Sequence, residues 1–216
     1  RLAAGDRPRL ALLMRCGTLL DPEVEAAVAA AMVRAEALGF AVEPIELDLA
    51  ALEPAFLVFL RSLLLARLGR AAAATPEKLD PTLLATLEAG RAYSAADLAE
   101  AQFARTAMFD TVQSILGRFD AIASPTLTAP ALPVGLDPLG RIAIDGRDAG
   151  TIRGAWYPYT FPFNLTGHPA ISIPCGRSKA GLPIGLQLVA AWHHDRYLLD
   201  LAAALEEDPL KAATML

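Results

Sequence analysis

The stretch from Arg9 to Leu47 limits the possible folds more than any other part of the chain. Arg9-Leu10-Ala11-Leu12-Leu13-Met14 is an apolar run of strand length. A turn over Gly17 to Asp21 follows, and Asp21-Pro22-Glu23 then has the form of a helix start. Asp21 is the expected N-cap, and Pro22 takes the first helical position, where its missing N–H costs nothing. Val24, Val28, Met32, Ala35 and Leu38 recur at three- and four-residue intervals, so the helix carries one apolar stripe. Gly39 supplies the left-handed residue that commonly ends a helix. Phe40 to Leu47 alternates as a second strand. A strand–helix–strand unit of this kind crosses over onto a parallel neighbour. The expected fold class is therefore α/β, a mixed, twisted β-sheet flanked by helices.

Pro54 to Leu68 reads as a second, more completely apolar helix, and Ala71 to Pro81 as a connection holding Pro76 and Pro81. Ser94-Ala95-Ala96-Asp97 resembles a capping box. The long helix behind it runs to about Leu116 and stops at Gly117. Phe119 to Ala123 is a buried strand. Ser124 to Gly140 contains Pro125, Pro130, Pro133 and Pro138, which exclude regular structure there. A loop of this length usually has a function or covers something. Ala170 to Ile173 and Ile184 to Val189 read as strands joined through Gly176 to Gly181 in a hairpin. Gly185, inside the second of them, marks a bulge or a close backbone approach. Asp195 is the expected cap of a last amphipathic helix through Leu198, Leu199, Leu201, Ala202 and Leu205. No repeat or linker breaks the chain, so residues 1–216 are read as a single α/β domain.

Composition narrows the function classes. Nineteen Lys and Arg against 24 Asp and Glu give a net charge of −5. No basic stripe of the kind that binds nucleic acid is visible, so nucleic acid is not an expected partner. Cys16 and Cys175 lie 159 positions apart, a spacing that suits neither a compact disulfide framework nor a zinc knuckle, and they read as free thiols. The most apolar run, Phe56 to Leu60, is cut by Arg61 and again by Arg67, so no membrane span is expected. Arg1 to Arg9 lacks the pattern of a signal peptide, which favours the cytoplasm. The chain opens on Arg1 rather than Met, as a processed, cloned or proteolysed polypeptide would. Mean hydropathy is high at +0.38, which suggests an exposed apolar face for a packing partner or a homo-oligomer contact.

Three ordered stretches carry a family likeness. They are Phe119-Asp120-Ala121-Ile122-Ala123-Ser124-Pro125-Thr126, the run from Pro162 through Asn164-Leu165-Thr166-Gly167-His168 to Gly176, and Gly181-Leu182-Pro183-Ile184-Gly185-Leu186-Gln187-Leu188-Val189. Together they resemble the amidase-signature family, and Arg9 to Leu47 is similar to the unit that follows that family's catalytic core. The resemblance implies the C-terminal portion of the amidase-signature fold, contributing sheet and acyl-substrate pocket to a protein about twice as long. It also implies hydrolysis of a small-molecule carboxylic amide to acid and ammonia or amine, with no cofactor. In this family a Lys acts as base through a bridging Ser, a second Ser attacks the carbonyl, and backbone N–H groups hold the oxyanion. The amidotransferase A subunit, which transfers ammonia, is similar too. A non-catalytic binding or interaction module is the third possibility.

The residues for that chemistry are not in this sequence. Its serines are Ser62, Ser94, Ser114, Ser124, Ser172 and Ser178, none next to another and none in a Gly-rich run. Its lysines are Lys78, Lys179 and Lys211. A serine hydroxyl is weakly nucleophilic without an adjacent base, so no catalytic residue is assigned and the chain alone is expected to be inactive. No Gly-x-Ser-x-Gly elbow occurs. Cys175, near His168, has no cysteine-protease signature. His193-His194-Asp195 reads as a helix-entry turn rather than a metal site, because adjacent side chains diverge.

Binding roles remain. Ser124 and Thr126 stand where a strand enters its loop, a common ligand position in α/β folds. Trp156 and Tyr157, between Gly154 and Pro158, suit an apolar pocket with a few polar tips. Asn164 is a candidate contact as well, or a polar group holding a turn with Gly167. Phe161 and Phe163 are read as core, and Arg153 as a carboxylate ligand or a solvated charge.

Overall fold

The structure, a computed structural model, describes residues 7–206. The opening unit forms as its residues dictate. β1 (Arg9–Leu12) leads to α1 (Pro22–Ala37), and β2 (Ala41–Pro44) returns. The Asp21 carboxylate accepts the Glu23 N–H at 2.8 Å, so Asp21 is the N-cap and Pro22 lies in the first turn. Val24, Val28, Met32 and Ala35 are buried. Leu38 departs from the expected stripe: it is the C-cap, just past the last turn, and is 44% exposed. Gly39 turns the chain at φ +97°, and β2 is shorter than the alternation of Phe40 to Leu47 implied.

α2 (Glu53–Ala74) begins at Glu53 and outruns its expected end, because Ala71 to Ala74 extend a helix readily. α3 (Pro81–Gly90) was not anticipated, although its start repeats the logic of α1: Asp80 accepts the Thr82 N–H at 2.8 Å ahead of Pro81. At Gly90 a Cβ would stand 2.7 Å from the Arg61 carbonyl oxygen, so α3 lies close against α2. α4 (Ala95–Leu116) carries the capping box of Ser94 and Asp97 and ends at Gly117, as expected.

β3 (Ala121–Pro125) takes in Ser124 and Pro125, which moves the start of the irregular loop to Thr126. Residues 141–166 hold further unanticipated elements: β4 (Arg141–Ile144), β5 (Arg147–Thr151), α5 (Ile152–Trp156) and α6 (Phe161–Thr166). β4 and β5 form a separate antiparallel hairpin through Asp145-Gly146, both at positive φ (51° and 70°), the dipeptide that two-residue hairpins favour. Its Ile142 and Ile144 pack with Ala129, Ile152 and Ala155 in a small core of their own. Asn164-Leu165-Thr166, expected as a turn, is instead the last part of α6. The turn proper is Gly167 alone, at φ +74°, its N–H donated to Phe163 O at 2.8 Å.

β6 (Ala170–Arg177) and β7 (Pro183–Val189) make the expected hairpin, and α7 (Asp195–Leu205) closes the described chain. His194, not Asp195, is the N-cap of α7. Asp195 is the first helical residue, where its charge favours the positive helix end without a capping bond. Leu198, Leu201 and Ala202 face the core, while Leu199 is turned outward at 57% exposure.

The main sheet has the order β2-β1-β3-β7-β6. β1 is parallel to β2 and β3, and β7 is antiparallel to β3 and β6, so the sheet is mixed. Leu10, Ala11, Ala121, Ile122, Ala123, Leu188 and Val189 are fully buried, as expected of central strands covered on both faces. β6 differs. Ile173 and Cys175 are buried, but Ala170, Ser172 and Pro174 are exposed on the other side. Among the described residues no helix is long and apolar enough to cross a membrane.

Candidate functional site

Where β3 ends, the structure gathers most of the residues singled out from the sequence. Ser124 is fully buried. Its Oγ donates to Pro125 O at 2.9 Å and accepts from Gln187 Nε2 at 3.2 Å. Gln187 Nε2 also donates to Tyr159 O at 2.8 Å, and the Tyr159 hydroxyl donates to Met14 O at 2.7 Å. This polar chain links the end of β1, β3, β7 and the segment before α6. Ser124 thus lies beneath the loop, its hydroxyl engaged in both directions.

Thr126 is half-buried, with Oγ1 2.6 Å from Ser172 Oγ. The two hydroxyls meet over Gly185 of the intervening strand. A Cβ there would come within 2.6 Å of Ser172 Oγ and 2.7 Å of Thr126 Oγ1. The close approach expected of Gly185 is therefore to side-chain hydroxyls, and a register shift between Pro174 and Gly176 accompanies it on β6.

Thr128, missed in the sequence, ties the loop to α5. Its N–H donates to Trp156 O at 3.0 Å, its Oγ1 to Ala155 O at 2.5 Å, and its carbonyl accepts from Asp21 N at 2.8 Å. A single threonine among prolines carries no periodic signal that would have singled it out. Trp156 Nε1 donates to Ala129 O at 3.0 Å, and its ring lies 5.6 Å from that of Tyr157. Thr126, Trp156 and Tyr157 thus belong to one region, joined through Thr128 and Ala129. Asn164 stands apart, exposed on α6, with its main-chain N–H bonded to Thr160 O.

Phe161 and Phe163 are core, Phe161 stacking on Phe56 with ring centres 4.8 Å apart. Arg153 is half-buried, its guanidinium 5.9 Å from the centre of the Phe56 ring. A cavity of about 530 Å³ opens between α2 and α5, lined by Thr18, Glu53, Leu57, Val58, Tyr93 and Gly154 among others. α5 therefore presents Trp156 to the strand-end loop and Gly154 to the cavity.

The buried titratable groups are unsuited to proton transfer near neutrality. Burial pushes the His168 imidazole down to about 4. Its nitrogens lie 2.8 Å from Thr166 Oγ1 and 3.3 Å from Gln113 Oε1, and its ring 5.2 Å from Phe109. Burial pushes the Cys16 and Cys175 thiols up to about 11. Neither is then the thiolate that a nucleophile requires. Ser94, Ser172 and Ser178 hold Asp97, Thr126 and the Leu182 N–H respectively. Among the described residues no three His, Cys, Asp or Glu side chains are grouped so as to hold a metal ion.

Fold and loop together define an α/β protein whose candidate binding region forms where a central strand ends. The Amidase family model matches residues 3–199, and the chain belongs to that family. It is 34% identical over 129 residues to the glutamyl-tRNA(Gln) amidotransferase A subunit of Myxococcus xanthus, covering 58% of this chain and 24% of that protein. It is 40% identical over 91 residues to a 6-aminohexanoate-cyclic-dimer hydrolase of Paenarthrobacter ureafaciens, covering 41% of this chain and 18% of the hydrolase. Among solved structures, a bacterial aryl acylamidase of the amidase-signature family superposes with a TM-score of 0.83 at 20% identity, a likeness of fold. That superposition covers 97% of this chain and 45% of the acylamidase. The chain thus spans a minority of the length of each of these proteins.

Proposed function

We propose that this chain is the C-terminal part of an amidase-signature amide hydrolase, with the Ser–Ser–Lys chemistry carried elsewhere in the polypeptide. The observation that carries this reading is the contrast between a family match over residues 3–199 and the lack of any adjacent serine pair in the sequence. An attacking hydroxyl needs a proton acceptor in contact with it, and these residues supply neither partner of the family's pair. The exposed side of β6, with Ala170, Ser172 and Pro174, is the kind of small-residue sheet surface on which further polypeptide packs.

In this reading Thr126, Trp156 and Tyr157 border the acyl part of a small amide substrate. Ser124 acts from below by holding the strand end. The net charge of −5 and the lack of a basic stripe go with a small-molecule substrate rather than nucleic acid. The two free, buried cysteines suit residence in the cytoplasm.

The test is release of p-nitroaniline from p-nitroacetanilide. The 216-residue chain alone is expected to give none. Co-expression with an amidase-signature segment bearing the Ser–Ser–Lys residues is expected to give turnover that a Ser→Ala change in that segment abolishes. Turnover by the chain alone, with a phosphonate label on one of its own serines, would overturn the reading. A stable complex without turnover would favour a non-catalytic module.

A further inference from the structure

We propose that the cavity between α2 and α5 binds a small organic cation, an ammonium group on a short apolar body, with Glu53 as its anchor. At about 530 Å³ the cavity falls within the range of small-molecule sites. Its walls are mainly apolar, from Leu57 and Val58 on α2 to Ala149 and Gly150 on β5. The charged group lining it is Glu53, half-buried at the first position of α2. Among the described residues Glu53 enters none of the ion pairs, all of which join other side chains. Arg153, on the neighbouring α5, lies instead over the Phe56 ring.

A carboxylate beside apolar walls attracts a cation in the same cleft more strongly than one in open water. The fold leaves room for that carboxylate. It rests on Gly154, where a Cβ would overlap Glu53 Oε2. Tyr93, which also lines the cavity, is held by Arg61, its Oη accepting from Arg61 Nη1 at 2.8 Å. Glu53 also favours the helix start of α2 through the dipole, a role that requires no ligand. The ligand dependence below separates the two.

This inference goes beyond the hydrolase reading, and direct binding keeps them distinguishable, since an amine can bind where no amide turns over. The probes are n-hexylamine and n-hexanol, titrated calorimetrically into the chain near neutral pH. The amine is expected to bind saturably and at least about tenfold more tightly than the alcohol. Glu53→Gln is expected to bring the amine down to the affinity of the alcohol. Gly154→Ala, which pushes the carboxylate off its seat while keeping its charge, is expected to weaken the amine as well, by about tenfold. Equal affinity for amine and alcohol, no saturable amine binding, or full affinity in a folded Glu53→Gln protein would each overturn the proposal. If Glu53→Gln does not fold, the amine–alcohol contrast and Gly154→Ala decide it.

Discussion

Gln187 and Ser124 face one another across the β3–β7 pairing, and the Gln187 amide donates to Ser124 Oγ at 3.2 Å. Both are buried, and the same cross-strand row continues to Ser172 on β6. The same Nε2 donates to Tyr159 O, so one side chain serves acceptors on two other segments. Gln187→Leu would leave that carbonyl without its donor in a dry site, while Ser124 keeps its bond to Pro125 O. A loss of about 1–3 kcal/mol is expected, the cost of one buried group left unsatisfied. Urea denaturation checks this, and an unchanged midpoint would mean that the pair is dispensable.

Gly185→Ala should destabilise the domain. Its Cβ would fall within 2.7 Å of both Thr126 Oγ1 and Ser172 Oγ, and these hydroxyls are held to each other at 2.6 Å. Crowding of this kind costs about 1–3 kcal/mol. Adding Ser172→Ala removes one clashing oxygen and should recover part of the loss. Equal stability of the single and double variants would show that the clash is not the cause.

His168 should make stability depend on pH in the acid range. Burial holds its folded-state value at about 4, below the ordinary 6.5. The unfolded chain therefore binds the proton more readily than the folded one. The contribution of neutral His168 is complete above 6.5 and is lost as pH falls from 6.5 towards 4. The slope from this group cannot exceed about 1.4 kcal/mol per pH unit. His168→Gln should flatten the urea midpoint against pH in that window, and parallel curves for the two proteins would contradict the assignment.

Cys16 and Cys175 should resist thiol reagents in the folded protein. Both are buried with thiols pushed up to about 11. Reaction with Ellman's reagent at neutral pH should be slow natively and release two thiols rapidly in denaturant. Fast native labelling of either would show that its burial is not maintained.

Local rules of the chain were legible where a few adjacent residues settle the outcome. Asp21-Pro22, the Ser94–Asp97 box, Gly39 and Gly117 placed their helix ends, because capping is a matter of one or two hydrogen bonds within a turn. α3 and the β4–β5 hairpin carry equally local signals in Asp80-Pro81 and Asp145-Gly146, but neither is flanked by a long periodic run that would make it stand out. The misplaced cap at Asp195 and the helical Asn164-Leu165-Thr166 show that a polar residue near a boundary is ambiguous by one position or one turn. The candidate site was only partly legible. Thr126 at a strand end and Trp156 and Tyr157 between chain breaks carry local signals, whereas Thr128, which joins their segments, carries none.

Taken alone, the sequence determined the α/β class, the parallel crossover at the start, the hairpin at the end and the lack of a serine–lysine pair. These depend on residue type, periodicity and spacing, which need no third dimension. Only the tertiary structure decided that Ser124 is sealed beneath the loop by Gln187, that Gly185 makes way for two hydroxyls, and that Glu53 lines an apolar cavity against Gly154. Each of these joins residues on different elements of the fold, as far apart as the 101 positions between Glu53 and Gly154. Their contact is set by how strands and helices pack, and burial then fixes what a hydroxyl or a carboxylate can do.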